Sequence, residues 1–327
     1  MRLFTLLMIL ALSACTVPGS LPQEPSLQAG QIASTATYPA PVSSPAAQQT
    51  VATSGNETVL LTPSPQPTGS MSTSTDSAPP PITPSGALDY HYWRWWPILP
   101  DLTDTAREIY QRGHKLNLDR HAFSIVGDCQ SMPAVFGGRY DHPGQFQLPA
   151  EYQYLQETID RFQGSFDRSS ATVQNGFSVT AALSPLWADP EVCDAGETPL
   201  DCELRLHRPV FVIIALGSNW NTGDAGRHNE FLEQIVDRVI ASGAVPILST
   251  KGDNEEGDGS INLGIARLAA ERDLPLWNFW RAIQGLPDHG LDEGRDGNYL
   301  STAAWDIRGF TALQVLDTFW RQLDPDG

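Results

Sequence analysis

Side chains that could carry out acyl transfer are concentrated in four short blocks of this 327-residue sequence. The blocks are Gly-Asp-Cys-Gln-Ser at 127–131, Asn-Gly at 175–176, Gly-Ser-Asn-Trp at 217–220 and Asp-Gly-Asn-Tyr-Leu-Ser at 296–301. Acyl transfer needs a nucleophile, a base that takes its proton, and hydrogen-bond donors for the developing oxyanion. The four blocks contain most of these groups: a thiol, a side-chain amide, two turns with glycine and a carboxylate near the carboxyl terminus. They therefore predict one acyl-transfer site.

Strand-like and helix-like stretches alternate around these blocks. Apolar runs that predict strands lie at 122–126, 172–179, 210–216, 244–249 and 276–279, and helical patterns lie at 103–111, 151–162, 229–241, 263–272 and 302–323. This alternation predicts an α/β fold, a three-layer α/β/α sandwich with a central parallel sheet of about five strands. Ligands of such sheets bind beyond the carboxyl ends of the strands, where the first and third blocks fall.

The order of the four blocks resembles that of the SGNH, or GDSL, hydrolase family, from about residue 123 to the carboxyl terminus. The resemblance implies a flavodoxin-like sheet and an esterase-like activity on acyl esters, with esters carried on carbohydrates among them. It places Cys129 at the nucleophile position. It assigns oxyanion binding to the backbone N–H groups of Cys129 and Gly176 and to the side-chain amide of Asn219, and it makes Asp296 the carboxylate that orients the base.

The sequence departs from the family's pattern at two working positions. Cys129 stands in place of the nucleophilic serine, and Tyr299 stands in place of the catalytic histidine. A thiol can replace a hydroxyl, but a tyrosine with an unperturbed pKa of about 10 keeps its proton at neutral pH and accepts none. His289, in the same loop, is a candidate substitute base, and an exposed loop histidine is the alternative interpretation. Ser131 is a second conceivable nucleophile, or the cap of a following helix.

Two functions are therefore compatible with the sequence. One is a hydrolase of the SGNH type whose activity is impaired or altered. The other is a catalytically inactive binding or scaffolding protein that recognises a glycan or an acylated ligand. The acidic composition, with a net charge of −18, disfavours nucleic acid as a partner. No dinucleotide-binding, phosphate-binding or metal-binding motif is present in the sequence, so neither a cofactor nor a metal is expected.

The amino terminus predicts export and a membrane anchor. Arg2 precedes an apolar run at 3–12 that is too short to span a bilayer, which is typical of a signal segment occupying residues 1–14. The sequence Leu-Ser-Ala-Cys at 12–15 resembles the lipobox of bacterial lipoproteins. That resemblance implies that Cys15 carries lipid, and that the protein is extracytoplasmic with the membrane as its partner.

A long tether is predicted to follow the anchor. Residues 15–88 are rich in Ser, Thr and Pro and have no apolar periodicity, so they cannot bury enough surface to fold. The folded domain is then 89–327. At its start, the aromatic run at 90–97 could stack on sugar rings or form a strap that closes the edge of the domain. The acidic run at 253–258 favours a solvated loop.

The remaining cysteines divide into a pair and a single thiol. Cys193 and Cys202 enclose a short loop in an exported protein, which predicts a disulfide. The alternative, half of a metal site, lacks further Cys or His at ligand spacing. Cys129 is left over, either as a reactive thiol or as a small buried apolar residue.

Overall fold

The computed structural model describes residues 88–220, 224–295 and 298–324. The predicted signal segment, Cys15, the tether before Leu88 and Asp296 lie outside the described residues.

Four parallel strands form the described sheet, in the order β1-β2-β3-β4. Their bounds are Asp119–Gly127 for β1, Pro209–Ala215 for β2, Val245–Ser249 for β3 and Leu276–Trp277 for β4. Every residue of β2 is buried, as expected for an apolar, β-branched strand that is covered on both faces. The predicted strands at 122–126, 210–216 and 244–249 are confirmed.

The predicted strand at 172–179 does not form. Only Val173 pairs with the sheet, through a parallel bridge to Gly127 at the outer side of β1. Gly176 then adopts a left-handed conformation, with φ of +71°, and the Ser178 hydroxyl caps a short helix. The turn and the cap end the extended backbone after one bridge, so this segment contributes no strand to the described sheet.

Within the described residues, nine α-helices surround the strands. They are α1 Asp104–Lys115, α2 Pro133–Phe136, α3 Gln156–Arg161, α4 Val179–Ala182, α5 Pro199–His207, α6 Ala225–Ser242, α7 Ser260–Glu271, α8 Phe279–Ile283 and α9 Thr302–Leu323. Four predicted helices are confirmed as α1, α6, α7 and α9. The predicted helix at 151–162 divides into a 3₁₀ segment, Ala150–Leu155, followed by α3.

The helices form two groups that make this a three-layer α/β/α arrangement. Helices α4, α5, α6 and α7 pack on one another, while α2, α3 and α8 pack on α9. The buried Phe211 ring of β2 lies against Tyr110 of α1 and Phe319 of α9. No helix in the described part of the chain is long and apolar enough to cross a membrane.

The aromatic run before α1 packs as a strap, which we define as residues 89–97. It contains a 3₁₀ helix, Tyr90–Trp95, in which Trp93 is 1% exposed, and Trp96 just after it is 5% exposed. The Asn278 side-chain amide donates to the carbonyl oxygens of Trp93 and Trp96, at 2.7 and 3.1 Å. These contacts favour the strap over a sugar-stacking role for the two buried rings.

The predicted disulfide is confirmed. The Sγ atoms of Cys193 and Cys202 are bonded to each other, with the Cα atoms 5.3 Å apart. The bond joins the loop before α5 to the first half of that helix. Glu197 lies near both sulfur atoms, but its carboxylate accepts from Arg205, so the disulfide and an ion pair replace the half metal site.

Candidate functional site

The carboxyl ends of the strands meet at one edge of the sheet. The parallel register places Gly127 beside Ala215 and Ser249 beside Trp277. A polar cavity of about 20 Å³ lies at this edge, a volume that holds about one water molecule. Its polar lining comes from the segments after β1, β2 and β3 and from the loop before α9, and includes Asp128, Gln130, Ser218, Lys251, Asp253 and Asn298.

Cys129 begins a single 3₁₀ turn directly after β1. The Asp128 carboxylate caps this turn by accepting from the backbone N–H of Gln130, at 2.9 Å. The thiol is half-buried and free of any disulfide. Burial raises the pKa of the Cys129 thiol, and the Asp128 charge raises it further. The thiol therefore keeps its proton at neutral pH, whereas reactive cysteines have lowered pKa values.

Arg308 of α9 stabilises this 3₁₀ turn through hydrogen bonds. Its guanidinium is buried and donates to the carbonyl of Gln130 and, at 3.1 Å, to the Ser131 hydroxyl. Burial lowers the pKa of Arg308 to about 10, so the group stays charged at neutral pH. Burial also raises the pKa of Asp128, and the Arg308 charge opposes that rise. Ser131, 1% exposed, thus binds Arg308. It does not cap the helix that follows, since α2 has Met132 at its N-cap and no side-chain cap.

The second and third blocks are in contact. Asn219, which follows β2, donates its side-chain amide to the carbonyl oxygen of Phe177, at 3.1 Å. Phe177 directly follows Gly176, so the two residues predicted to bind the oxyanion belong to adjoining loops. The Asn219 amide is engaged with the backbone here. The oxyanion roles of Cys129, Gly176 and Asn219 stay predictions.

The fourth block is tied to the first and third through Asn298. The Gln130 side-chain amide donates to the Asn298 carbonyl oxygen at 3.2 Å, and the Asn298 amide donates to the carbonyl oxygen of Ser218 at 3.3 Å. Tyr299, the next residue, is half-buried under the guanidinium of Arg295, whose central carbon lies 3.7 Å from the ring centre. A cation thus covers the ring of Tyr299, and the equivalence of this residue with a catalytic histidine stays a prediction.

His289 lies in a different setting from a general base. It is exposed, in the 3₁₀ segment Pro287–Gly290, with φ of +53°, and its Nδ1 atom is 3.4 Å from the Gln284 carbonyl oxygen. The Asp288 carboxylate bonds to Glu293 and raises the pKa of that residue. Asp292 accepts from the backbone N–H of Gly294. The contacts of Asp288 and Asp292 are thus with groups other than the His289 ring. The role of His289 as a base stays a prediction.

An ion cluster beside the cavity was not expected from the sequence. The Lys251 ammonium lies 2.5 Å from carboxylate oxygens of both Asp253 and Glu256, and all three side chains are buried. The Ser218 hydroxyl donates to the other oxygen of Asp253, at 2.7 Å. Part of the acidic run at 253–258 is therefore internal and not solvated. The signal that could have indicated this is a lysine two residues after a buried strand, followed by acids.

His228 is a second buried group that the sequence did not single out. It lies near the start of α6 with no exposed surface, and its Nε2 atom has no hydrogen-bond partner among the described residues. Its ring meets Trp220 of the third block edge-on at 5.8 Å. Burial lowers the pKa of His228 to about 4, so the ring is neutral at pH 7.

Comparison with known proteins gives similarity to solved structures alone. No protein-family model matches the chain, and no curated protein matches it. The chain is similar in fold to a GDSL-like lipase from Bacteroides thetaiotaomicron, with 12% identity, 65% of this chain and 98% of that chain covered, and a TM-score of 0.41. It is also similar to the psychrotrophic esterase EstA from Pseudoalteromonas sp., with 16% identity, 62% and 99% coverage, and a TM-score of 0.42. A lipase/acylhydrolase from Enterococcus faecalis gives 16% identity, 59% and 93% coverage, and a TM-score of 0.39.

Proposed function

We propose that this chain is a membrane-anchored extracytoplasmic lipoprotein whose SGNH-type domain binds an acyl ester without hydrolysing it at an enzyme's rate. The observation that carries this proposal is the setting of Tyr299 and Cys129. Tyr299, which the family resemblance aligns with the base, lies under the Arg295 guanidinium, and the thiol beside Asp128 has a raised pKa. Acyl transfer by a thiol needs a base that takes its proton or a lowered pKa. The pKa of Cys129 is raised, and the ring of His289, the predicted substitute base, lies against the Gln284 carbonyl oxygen.

Binding of a ligand, in contrast to its hydrolysis, depends on the two turns that carry Cys129 and Gly176. The turn that carries Cys129 is fixed by the Asp128 cap and the Arg308 guanidinium. Asn219 holds the adjoining loop that carries Gly176. Rigid turns with oriented N–H groups favour a carbonyl oxygen as the bound group. The cavity behind the turn is small, so the acyl and alcohol parts of an ester would lie on the open side of the site.

The experiment compares hydrolysis of p-nitrophenyl butyrate by the wild type and three variants: Cys129→Ala, Tyr299→His and Cys129→Ser with Tyr299→His. We expect the wild type and Cys129→Ala to hydrolyse the ester equally slowly. The double variant restores a serine and a histidine at the family's positions. General base catalysis typically contributes 10²–10⁴-fold, so a gain of roughly 100-fold is expected for the double variant.

Two outcomes would contradict the proposal. If Cys129→Ala abolished a measurable wild-type rate, the chain would be a cysteine-dependent hydrolase. If the double variant stayed folded and gained nothing, the site would not be an acyl-ester site. Tyr92→His, at an exposed strap position, controls for the effect of adding a histidine anywhere on the domain.

The anchor is tested separately by Cys15→Ser. A lipid-modified Cys15 predicts that the wild type fractionates with membranes and incorporates labelled palmitate. The variant should lose the label and leave the membrane fraction. Incorporation of label by the variant would contradict lipid attachment at Cys15.

A further inference from the structure

A second and larger cavity lies away from the strand ends. Its volume is about 420 Å³, within the range typical of small-molecule sites. It is bordered by the 3₁₀ segment Gly138–Asp141, the loop at 143–148 and helix α3. The residues that give it its chemistry are Phe146, Gln147, Gln153, Gln156, Asp160 and Gln163.

This cavity is separate from the site around Cys129. Asp160 and Gln163 flank Arg161, whose carbonyl oxygen lies 3.2 Å from Nδ1 of His121 near the start of β1. Cys129 follows the other end of that strand. The strand has nine residues and spans about 30 Å at 3.3 Å per residue. The two sites are therefore associated with opposite ends of β1.

The lining suits a neutral ligand that is rich in hydroxyl groups. Four glutamine side chains supply both donors and acceptors, which matches hydroxyl groups that also donate and accept. Among the described residues that line the cavity, Asp160 is the single charged one. A carboxylate without a cation beside it does not favour binding of phosphate. A single carboxylate also falls short of the six to eight oxygen ligands that a metal such as Ca²⁺ takes.

Part of the lining is already ordered before a ligand binds. The Gln156 amide donates to the Asp160 carboxylate at 2.8 Å, and the Gln153 amide donates to the Leu148 carbonyl oxygen at 2.5 Å. The Phe146 ring is held edge-on against Tyr140, with centroids 5.3 Å apart. Side chains that are fixed beforehand lose less freedom on binding. An aromatic wall beside fixed amides can pack on the C–H face of a sugar ring while the amides bind its hydroxyl groups.

We propose that this cavity binds a neutral carbohydrate of one or two sugar units. The ligand would contact the Phe146 ring and hydrogen-bond to Gln156, Gln163 and Asp160. The site goes beyond the proposed function, because it uses none of the residues around Cys129. It would hold the domain on a glycan surface while the strand-end site stays open.

The test measures binding of maltose, cellobiose and N,N′-diacetylchitobiose to the full chain by calorimetry and saturation-transfer NMR, with glucose 6-phosphate and a tri-alanine peptide as other ligand classes. At least one of the neutral sugars should bind with a Kd of about 1 mM or below. Gln156→Ala and Phe146→Ala should each weaken that binding on the order of tenfold. Gln234→Ala is the matched control, since Gln234 is also an exposed helical glutamine; its amide donates to the backbone carbonyl oxygen of Glu230, four residues before it.

Several results would overturn the carbohydrate site. They are no binding of the three neutral sugars at about 10 mM, tighter binding of the sugar phosphate or the peptide, or sugar binding that Gln156→Ala and Phe146→Ala leave unchanged. Thermal unfolding of each variant shows whether it is folded. Sugar binding that persists in Cys129→Ala supports the second site even if the ester proposal fails.

Discussion

Arg308 illustrates how one buried side chain can determine the geometry of a site. Its guanidinium lies near the Phe136 and Phe279 rings, at 5.1 and 5.5 Å, and donates to the turn that follows β1. Without it, the Gln130 carbonyl oxygen loses a donor and Asp128 loses the nearest compensating charge. A buried charge that loses its partner typically costs 3–5 kcal/mol.

We expect Arg308→Met to lower the free energy of unfolding by about 3 kcal/mol. The methionine keeps much of the packing volume, so the loss reports the charge and the hydrogen bonds. Urea unfolding measures it. Arg272→Met, which removes an exposed ion pair with Asp237, should change stability by less than about 0.5 kcal/mol. Equal effects of the two substitutions would contradict the supporting role of Arg308.

His228 predicts a pH dependence of stability. Its folded-state pKa of about 4 lies below the ordinary value of 6.5, so between these values the unfolded chain binds more protons than the folded one. The free energy of unfolding therefore rises as the pH increases from about 4 to 6.5, by about 3 kcal/mol, and the gain is lost on acidification. In His228→Phe this part of the pH dependence should disappear.

The measurement is the difference between wild type and His228→Phe in urea unfolding at several pH values. The difference matters because Asp128 acts in the opposite direction: burial raises its pKa, so its contribution to stability falls as the pH rises above about 4. Identical slopes for the two proteins would show that His228 is not buried as a neutral ring.

At the scale of elements, strands and helices with a strong apolar pattern could be predicted, and the groups that depend on tertiary contacts could not. Strand β2 and helix α9 are continuous apolar or amphipathic patterns, and α9 has the predicted bounds Thr302–Leu323. The segment at 172–179 also looks extended locally, but the turn at Gly176 and the Ser178 cap prevail. The blocks after β1 and β2 were predictable because they follow strands. Arg308 was not, because its partners Gln130 and Ser131 are far from it in the sequence.

Helix α5 depends on its disulfide. Cys193 and Cys202 close a loop with a sequence separation of 9, and an unfolded chain gains freedom when that loop is opened. Replacing both cysteines with alanine should lower the free energy of unfolding by roughly 2–3 kcal/mol. Chemical unfolding measures this loss, and reduction of the wild type should reproduce it. A double variant as stable as the oxidised wild type would contradict the role of the bond.

At the scale of the whole molecule, the strap contains the first buried side chain of the described residues. The tryptophans at 93 and 95 belong to the same 3₁₀ helix, but Trp93 is 1% exposed and Trp95 is 43% exposed. Trp93 also meets Trp280 of α8 edge-on, with ring centres 5.0 Å apart. Burial among the described residues therefore begins at Trp93, and the boundary between tether and domain at residue 89 stays a prediction.

Trp93→Ala should lower the free energy of unfolding by about 3–5 kcal/mol, as truncation of a fully buried aromatic side chain does. Trp95→Ala should cost less than about 1 kcal/mol, because surface substitutions have small effects. The pair is compared by urea unfolding. If both substitutions had small effects, the strap would not be part of the cooperative core.

Because of the position of the strap, the response of the domain to a pulling force depends on where the force is applied. Tension applied through the chain at Leu88 reaches the strap before it reaches any strand. Besides the packing of its two buried rings, the strap is held by side-chain donors on one neighbouring segment, Asn278 and Arg281, which bind the carbonyl oxygens of Trp93, Trp95 and Trp96. Bonds arranged along the pulled chain break one after another and not together. Under such tension the strap would therefore detach before the strands of the parallel sheet separate.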